Sequence, residues 1–224
     1  MSYRSASLAA LLALAIASPL SAEVVDSDDR GFVTRDEAVV EATPKETWLA
    51  LISPARWWNS AHTWSADSAN LALTPQAGGC FCETIPEVDE PGRFTLEGSV
   101  EHMRVIQAYP EKALRMQGAL GPLQSEPVTG ILTIALSEVD EGTRIVWEYN
   151  VGGSMRYEVA QISKAVDGVM SQQLAGLADM LGRVEGPAKA VEPSIDEEPA
   201  QDDPEPEARE SVDEAFDSLA DDDS

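Results

Sequence analysis

The chain has 224 residues and a formal net charge of −25, from 15 Lys and Arg against 40 Asp and Glu. That length suits one domain with appendages. The scarcity of cations argues against nucleic acid and anionic lipid surfaces as partners, because phosphate binding needs clustered Lys and Arg.

Met1 to Arg4 is a short basic start, Leu8 to Ile16 is the apolar run LAALLALAI, and Leu20-Ser21-Ala22 offers small residues for cleavage. This layout predicts a secretory signal peptide over residues 1–22, with the mature chain periplasmic or secreted. The run is too short to cross a bilayer comfortably, and no other stretch suggests a membrane span. From Glu185 onward 16 acidic residues face only Lys189 and Arg209. Pro, Ala, Glu and Asp dominate there, and such a segment cannot bury enough apolar surface to offset its ordering entropy. Residues 185–224 are therefore predicted to be a disordered acidic tail, suited to a basic protein partner. Val212, Phe216 and Leu219 fall at helical spacing within it. A single domain is expected over residues 23–184.

Within the domain, residues 31–42 read as a strand. Thr43, Pro44 and Glu46 form a capping-box pattern ahead of a short helix over 45–52. Pro54 then starts a second short helix over 55–59, carrying Trp57 and Trp58. Strand candidates follow at 71–74, 80–85, 93–108, 113–118, 129–137 and 143–151, separated by turns, which indicates an antiparallel meander. The last element is a long helix over 154–181, with an apolar stripe through Met155, Val159, Ile162, Val166, Val169, Met170, Leu174, Leu177 and Leu181. Gly182 is a helix stop. A helix of that length with one apolar stripe must lie across something broad, and the sheet is the candidate. The fold class is α+β.

Cys80 and Cys82 are the two cysteines. In an extended strand, residues two apart have Cβ atoms about 6–7 Å apart, against ~3.8 Å in a disulfide. They are expected not to bridge. With no second CxC or HxxxH element, no metal and no cofactor is expected.

The element order resembles the helix-grip fold of the SRPBCC superfamily, which includes START domains, pollen-allergen-like proteins and polyketide cyclases. The motifs that carry the resemblance are ATPKETWLALISPARWWNSAHTWS at 42–65, LALTPQAGGCFCE at 71–83, HMRVIQAYPEKALRMQGALGPLQ at 102–124 and GTRIVWEYNVGG at 142–153. They look like an exported bacterial subgroup. The resemblance covers about residues 33–182 and implies a curved antiparallel sheet wrapped around the long helix, with a cavity between them. It implies no single activity.

The expected cavity would be lined by Trp57 or Trp58, Trp64, Phe81, Trp147 and Tyr149, with Val166 and Met170 of the helix as its lid. His62, in the tryptophan-rich loop, and His102, on a strand, are candidate polar groups. Strand alternation puts His102 on the side of Arg104. Glu83 shares a face with Phe81 and is the best-placed carboxylate, whereas Glu148 should point to solvent. No catalytic residue is assigned, since no nucleophile triad or nucleotide fingerprint is present. The expectation is a binder of a small hydrophobic molecule or lipid. A cyclase or hydratase using a cavity His or Glu is the alternative, as is an interaction protein acting through its tail.

Overall fold

A computed structural model describes residues 23–184. The expected signal peptide and the expected acidic tail lie outside the described residues. An eight-stranded antiparallel sheet dominates, with a smaller two-stranded ribbon. In chain order the strands are β1 (Glu23–Ser27), β2 (Gly31–Val40), β3 (Leu71–Leu73), β4 (Cys80–Ile85), β5 (Val88–Glu90), β6 (Arg93–Thr95), β7 (Gly98–Tyr109), β8 (Ala113–Gly118), β9 (Val128–Val139) and β10 (Gly142–Gly153). The large sheet runs β1-β2-β10-β9-β8-β7-β4-β3, and β5 and β6 form the ribbon. Helix α1 (Pro44–Leu51) follows β2, and helix α2 (Val159–Met180) follows β10. The arrangement is the expected α+β helix grip.

Several local expectations hold in detail. Thr43 caps α1, and the reciprocal bond from its own N–H to the Glu46 carboxylate completes the capping box. Along β10, Ile145, Trp147, Tyr149 and Val151 are all buried, while Glu148 pairs with Arg35 near the surface. The same alternation in β9 buries Leu132, Ile134 and Leu136. These residues and the α2 side chains Leu174, Leu177 and Ala178 form one core. Burying each such side chain contributes about 1.5–3 kcal/mol.

Other boundaries differ. β1 was not anticipated, and the strand expected over 93–108 is split between β6 and β7. The second short helix is a single 3-10 turn, Pro54–Arg56, and the paired tryptophans lie after it. α2 begins at Val159 rather than 154, and Met155 packs against the core from the preceding connection.

Two corrections share one cause. Cys80 and Cys82 are joined by a disulfide, contrary to expectation, with Cα atoms 5.3 Å apart. That separation lies within the disulfide range. The β4–β7 register shifts between Phe81 and Cys82, since Phe81 pairs with Met103 and Cys82 with Glu101. His102 is the extra residue of this bulge. The bulge breaks the strict two-residue period of β7 and falls opposite the step of β4 that carries the cysteines. His102 and Met103 are consequently both buried, while Arg104 is exposed, so His102 does not share the side of Arg104.

Candidate functional site

Beside the N-terminal half of α2 lies a cleft of about 360 Å3. Its floor on the helix is Ile162, Val166, Val169 and Met170. Opposite stand Trp58, His62 and Trp64 from the long connection between α1 and β3, and His102 from β7. Leu120, Gly121 and Pro122, between β8 and β9, complete the rim. The apolar stripe of α2 therefore does two jobs. Its C-terminal half is packed into the core, whereas Val166 and Val169 remain half-buried against open space.

The remaining expected residues lie behind this wall. Trp57 meets Trp147 edge to face at 5.9 Å, and Trp58 meets Phe81 at 5.2 Å. Trp57, Phe81, Trp147 and Tyr149 are core residues and do not line the cleft. The Tyr149 hydroxyl donates to the carbonyl of Gly118 and accepts from the N–H of Leu120. Burial pushes its phenol pKa up. Tyr149 thus fixes the β8–β9 connection that forms the rim.

Glu83 is 1% exposed and stands directly behind His102. Its carboxylate accepts hydrogen bonds from the backbone N–H groups of Trp64 and Ser65, at 3.0 and 2.5 Å. It also lies 2.8 Å from His102 Nε2. The backbone passes through the left-handed region at Ala66 (φ 60), immediately after the two donating residues. Burial pushes the Glu83 pKa up, but the hydrogen bonds from Ser65, Trp64 and His102 outweigh it and hold the carboxyl below its ordinary value. An ionised Glu83 can only accept, so His102 carries its proton on Nε2. Nδ1 then has no hydrogen-bond partner among the described residues.

His62 is held from the other side. Gln173 of α2 is fully buried, and its amide oxygen accepts from the N–H of Asn59 at 2.8 Å. That bond orients the amide, so Gln173 Nε2 donates to His62 Nδ1 at 2.8 Å. His62 Nδ1 is thereby an acceptor, and Nε2 carries the proton. The other polar groups nearby are committed. Trp58 Nε1 donates to the carbonyl of His62, Trp64 Nε1 to Gln124 and the Thr63 hydroxyl to the carbonyl of Ser60. Although 59% exposed, Trp64 is pinned across the mouth by its bond to Gln124.

The cleft thus gathers Trp58, His62, Trp64, His102, Val166 and Met170 of the expected residues. Glu83 acts on it through His102. Gln173 and Gln124 went unremarked in the sequence. A signal existed for the first: Gln173 falls among Met170, Leu174 and Leu177, at the helical spacing of the apolar face. Gln124 carries no such signal. Among the described residues no cluster of three His, Cys, Asp or Glu side chains could hold a metal. Cys80 and Cys82 are consumed by their disulfide.

No family model matches the chain, and no curated protein matches it. Solved structures do resemble it. A protein from Mesorhizobium loti is 17% identical with a TM-score of 0.46, covering 66% of this chain and 96% of that one. A Rhodobacter sphaeroides protein is 21% identical with a TM-score of 0.43, covering 72% and 97% respectively. CalU16 from Micromonospora echinospora is 15% identical with a TM-score of 0.41, covering 71% and 80%.

Proposed function

We infer that the domain binds a small hydrophobic molecule or lipid in the cleft beside α2. The observation that carries this reading is the open apolar stripe. Ile162, Val166, Val169 and Met170 line a space of about 360 Å3, and Val166 and Val169 remain half-buried beside it. That volume falls in the range of small-molecule pockets, as does the combination of apolar walls with a few polar groups. The resemblance of the motifs at 42–65, 71–83, 102–124 and 142–153 to the SRPBCC superfamily, which implies a cavity between sheet and helix, agrees with it. Export to the periplasm or beyond belongs to the same reading, and the Cys80–Cys82 disulfide supports it because disulfides persist in oxidising compartments.

The test is direct. An apolar fluorescent probe should bind the folded domain saturably and quench tryptophan emission, since Trp58 and Trp64 line the cleft. Val166→Trp should abolish binding and leave the protein folded, because Val166 is only half-buried. Unchanged probe binding in that variant would place the site elsewhere. Native mass spectrometry of the purified protein should reveal a co-purified ligand.

A second reading is favoured by the Glu83–His102 pair. A histidine facing a cleft, with one ring nitrogen held by a carboxylate and the other bare, has the arrangement of a general base. Cyclase or hydratase chemistry would use His102 for proton transfer. Product formation on candidate substrates, lost in His102→Gln while binding persists, would establish it.

A further inference from the structure

We propose that the cleft selects apolar molecules bearing an acidic hydroxyl, a phenol or an enol, whose oxygen sits between His62 and His102. This inference rests on the cleft being a binding site and specifies what it takes.

The two histidines line the same cleft but are fixed in opposite senses. Gln173 donates to His62 Nδ1, and its own orientation is set by the N–H of Asn59. His62 can therefore offer the cleft only a donor, Nε2–H. Glu83 takes His102 Nε2–H, and Trp64 and Ser65 hold the carboxylate in place. His102 can offer only Nδ1, a bare lone pair in the neutral ring. One fixed donor and one fixed acceptor match a group that both accepts and donates through one atom, which is a hydroxyl. A carbonyl would satisfy His62 and leave Nδ1 of the neutral ring unpaired. An ether would do the same.

An acidic hydroxyl suits the site best because of what lies behind His102. The shared proton can rest on the ligand oxygen or on Nδ1, and the number of protons in the site is the same in both cases. When it rests on Nδ1, the O–H bond has broken and the N–H bond has formed. The ligand oxygen then carries a negative charge beside His62 Nε2–H, and Glu83 faces the imidazolium. Phenols and enols tolerate that charge, and aliphatic alcohols do not. No further reactant is required, because the proton returns when the ligand leaves.

The experiment uses 2-naphthol, 2-methoxynaphthalene and naphthalene, which share one apolar body. Their affinities for the full-length protein are measured by isothermal titration calorimetry. We expect 2-naphthol to bind at least tenfold tighter than its methyl ether, because the ether leaves the acceptor of the buried His102 unpaired. His102→Gln keeps a donor for Glu83 and displaces the acceptor, so the naphthol-to-ether ratio should collapse towards one. His62→Phe should weaken both oxygenated probes, keep that ratio and remove the advantage of the ether over naphthalene. Circular dichroism checks that each variant is folded. If His102→Gln does not fold, the wild-type ratio and His62→Phe decide the matter. Equal binding of all three probes overturns the hydroxyl selection and leaves the binding reading standing. Binding of none overturns both.

Discussion

Glu83 is a buried carboxylate held by several donors. It is 1% exposed and receives two backbone N–H groups and one imidazole. Replacing it with Gln keeps the shape but puts an amide where only acceptors fit. Glu83→Gln should cost about 1–3 kcal/mol at pH 7, as expected when buried hydrogen bonds to a charged group are broken. Urea denaturation reads that loss. The pH dependence follows from the depressed folded-state pKa, set against an unperturbed value of 4.5. The stabilisation from Glu83 is fully present above that unfolded-state value. It is lost as the pH falls from there through the lower folded-state pKa. The gap between wild type and Glu83→Gln should therefore be constant near neutrality and shrink on acidification below about pH 4.5. A gap that widens in acid would mean that Glu83 is protonated in the folded domain.

At the scale of elements, α2 contains two glycines with opposite roles. A Cβ on Gly176 would lie 2.5 Å from the carbonyl oxygen of Trp57, whereas Gly168 has open space around it. Gly168→Ala should stabilise the protein by up to about 1 kcal/mol through helix propensity alone. Gly176→Ala gains the same propensity but wedges the helix away from the tryptophan pair, at a cost of about 1–3 kcal/mol. Thermal midpoints moving in opposite directions would check this, and a joint rise would show that α2 does not sit so close. The bulge in β4 and β7 makes a second expectation at this scale. Thiol labelling of denatured, unreduced protein should find no free groups, because Cys80 and Cys82 are bridged. Cys82→Ser should cost little, about 1.5 kcal/mol, since the loop it opens is very short. Two labelled thiols per chain would show instead that the strand follows its regular period.

For the whole molecule, stability should reside in the domain over residues 23–184, where a single core joins sheet and α2. Deleting residues 191–224 should leave the thermal midpoint within a few degrees, a change of about 0.5 kcal/mol or less. A large drop would mean that the acidic segment docks on the domain, and Phe216 would be the first residue to replace. The α+β class, the capping box at Thr43, the inward face of β10 and the long apolar helix are legible in the sequence. Each is a local pattern with a period of 2.0 or 3.6, or a cap spanning three residues, so neighbours along the chain suffice to specify it. Six of the residues the sequence singles out, Trp58, His62, Trp64, His102, Val166 and Met170, line the cleft. How the expected residues divide between wall and core depends on packing across the whole domain. Trp57 and Trp58 are adjacent in sequence, yet Trp58 lines the cleft and Trp57 packs against Trp147. The orientation of His102 was out of reach for a related reason. It depends on a one-residue register shift between β4 and β7, and one inserted residue reverses the side to which a strand residue points. The tautomers of both histidines depend on Glu83 and Gln173, partners 19 and 111 residues distant. No local pattern encodes such contacts, because they exist only once the sheet has closed on the helix.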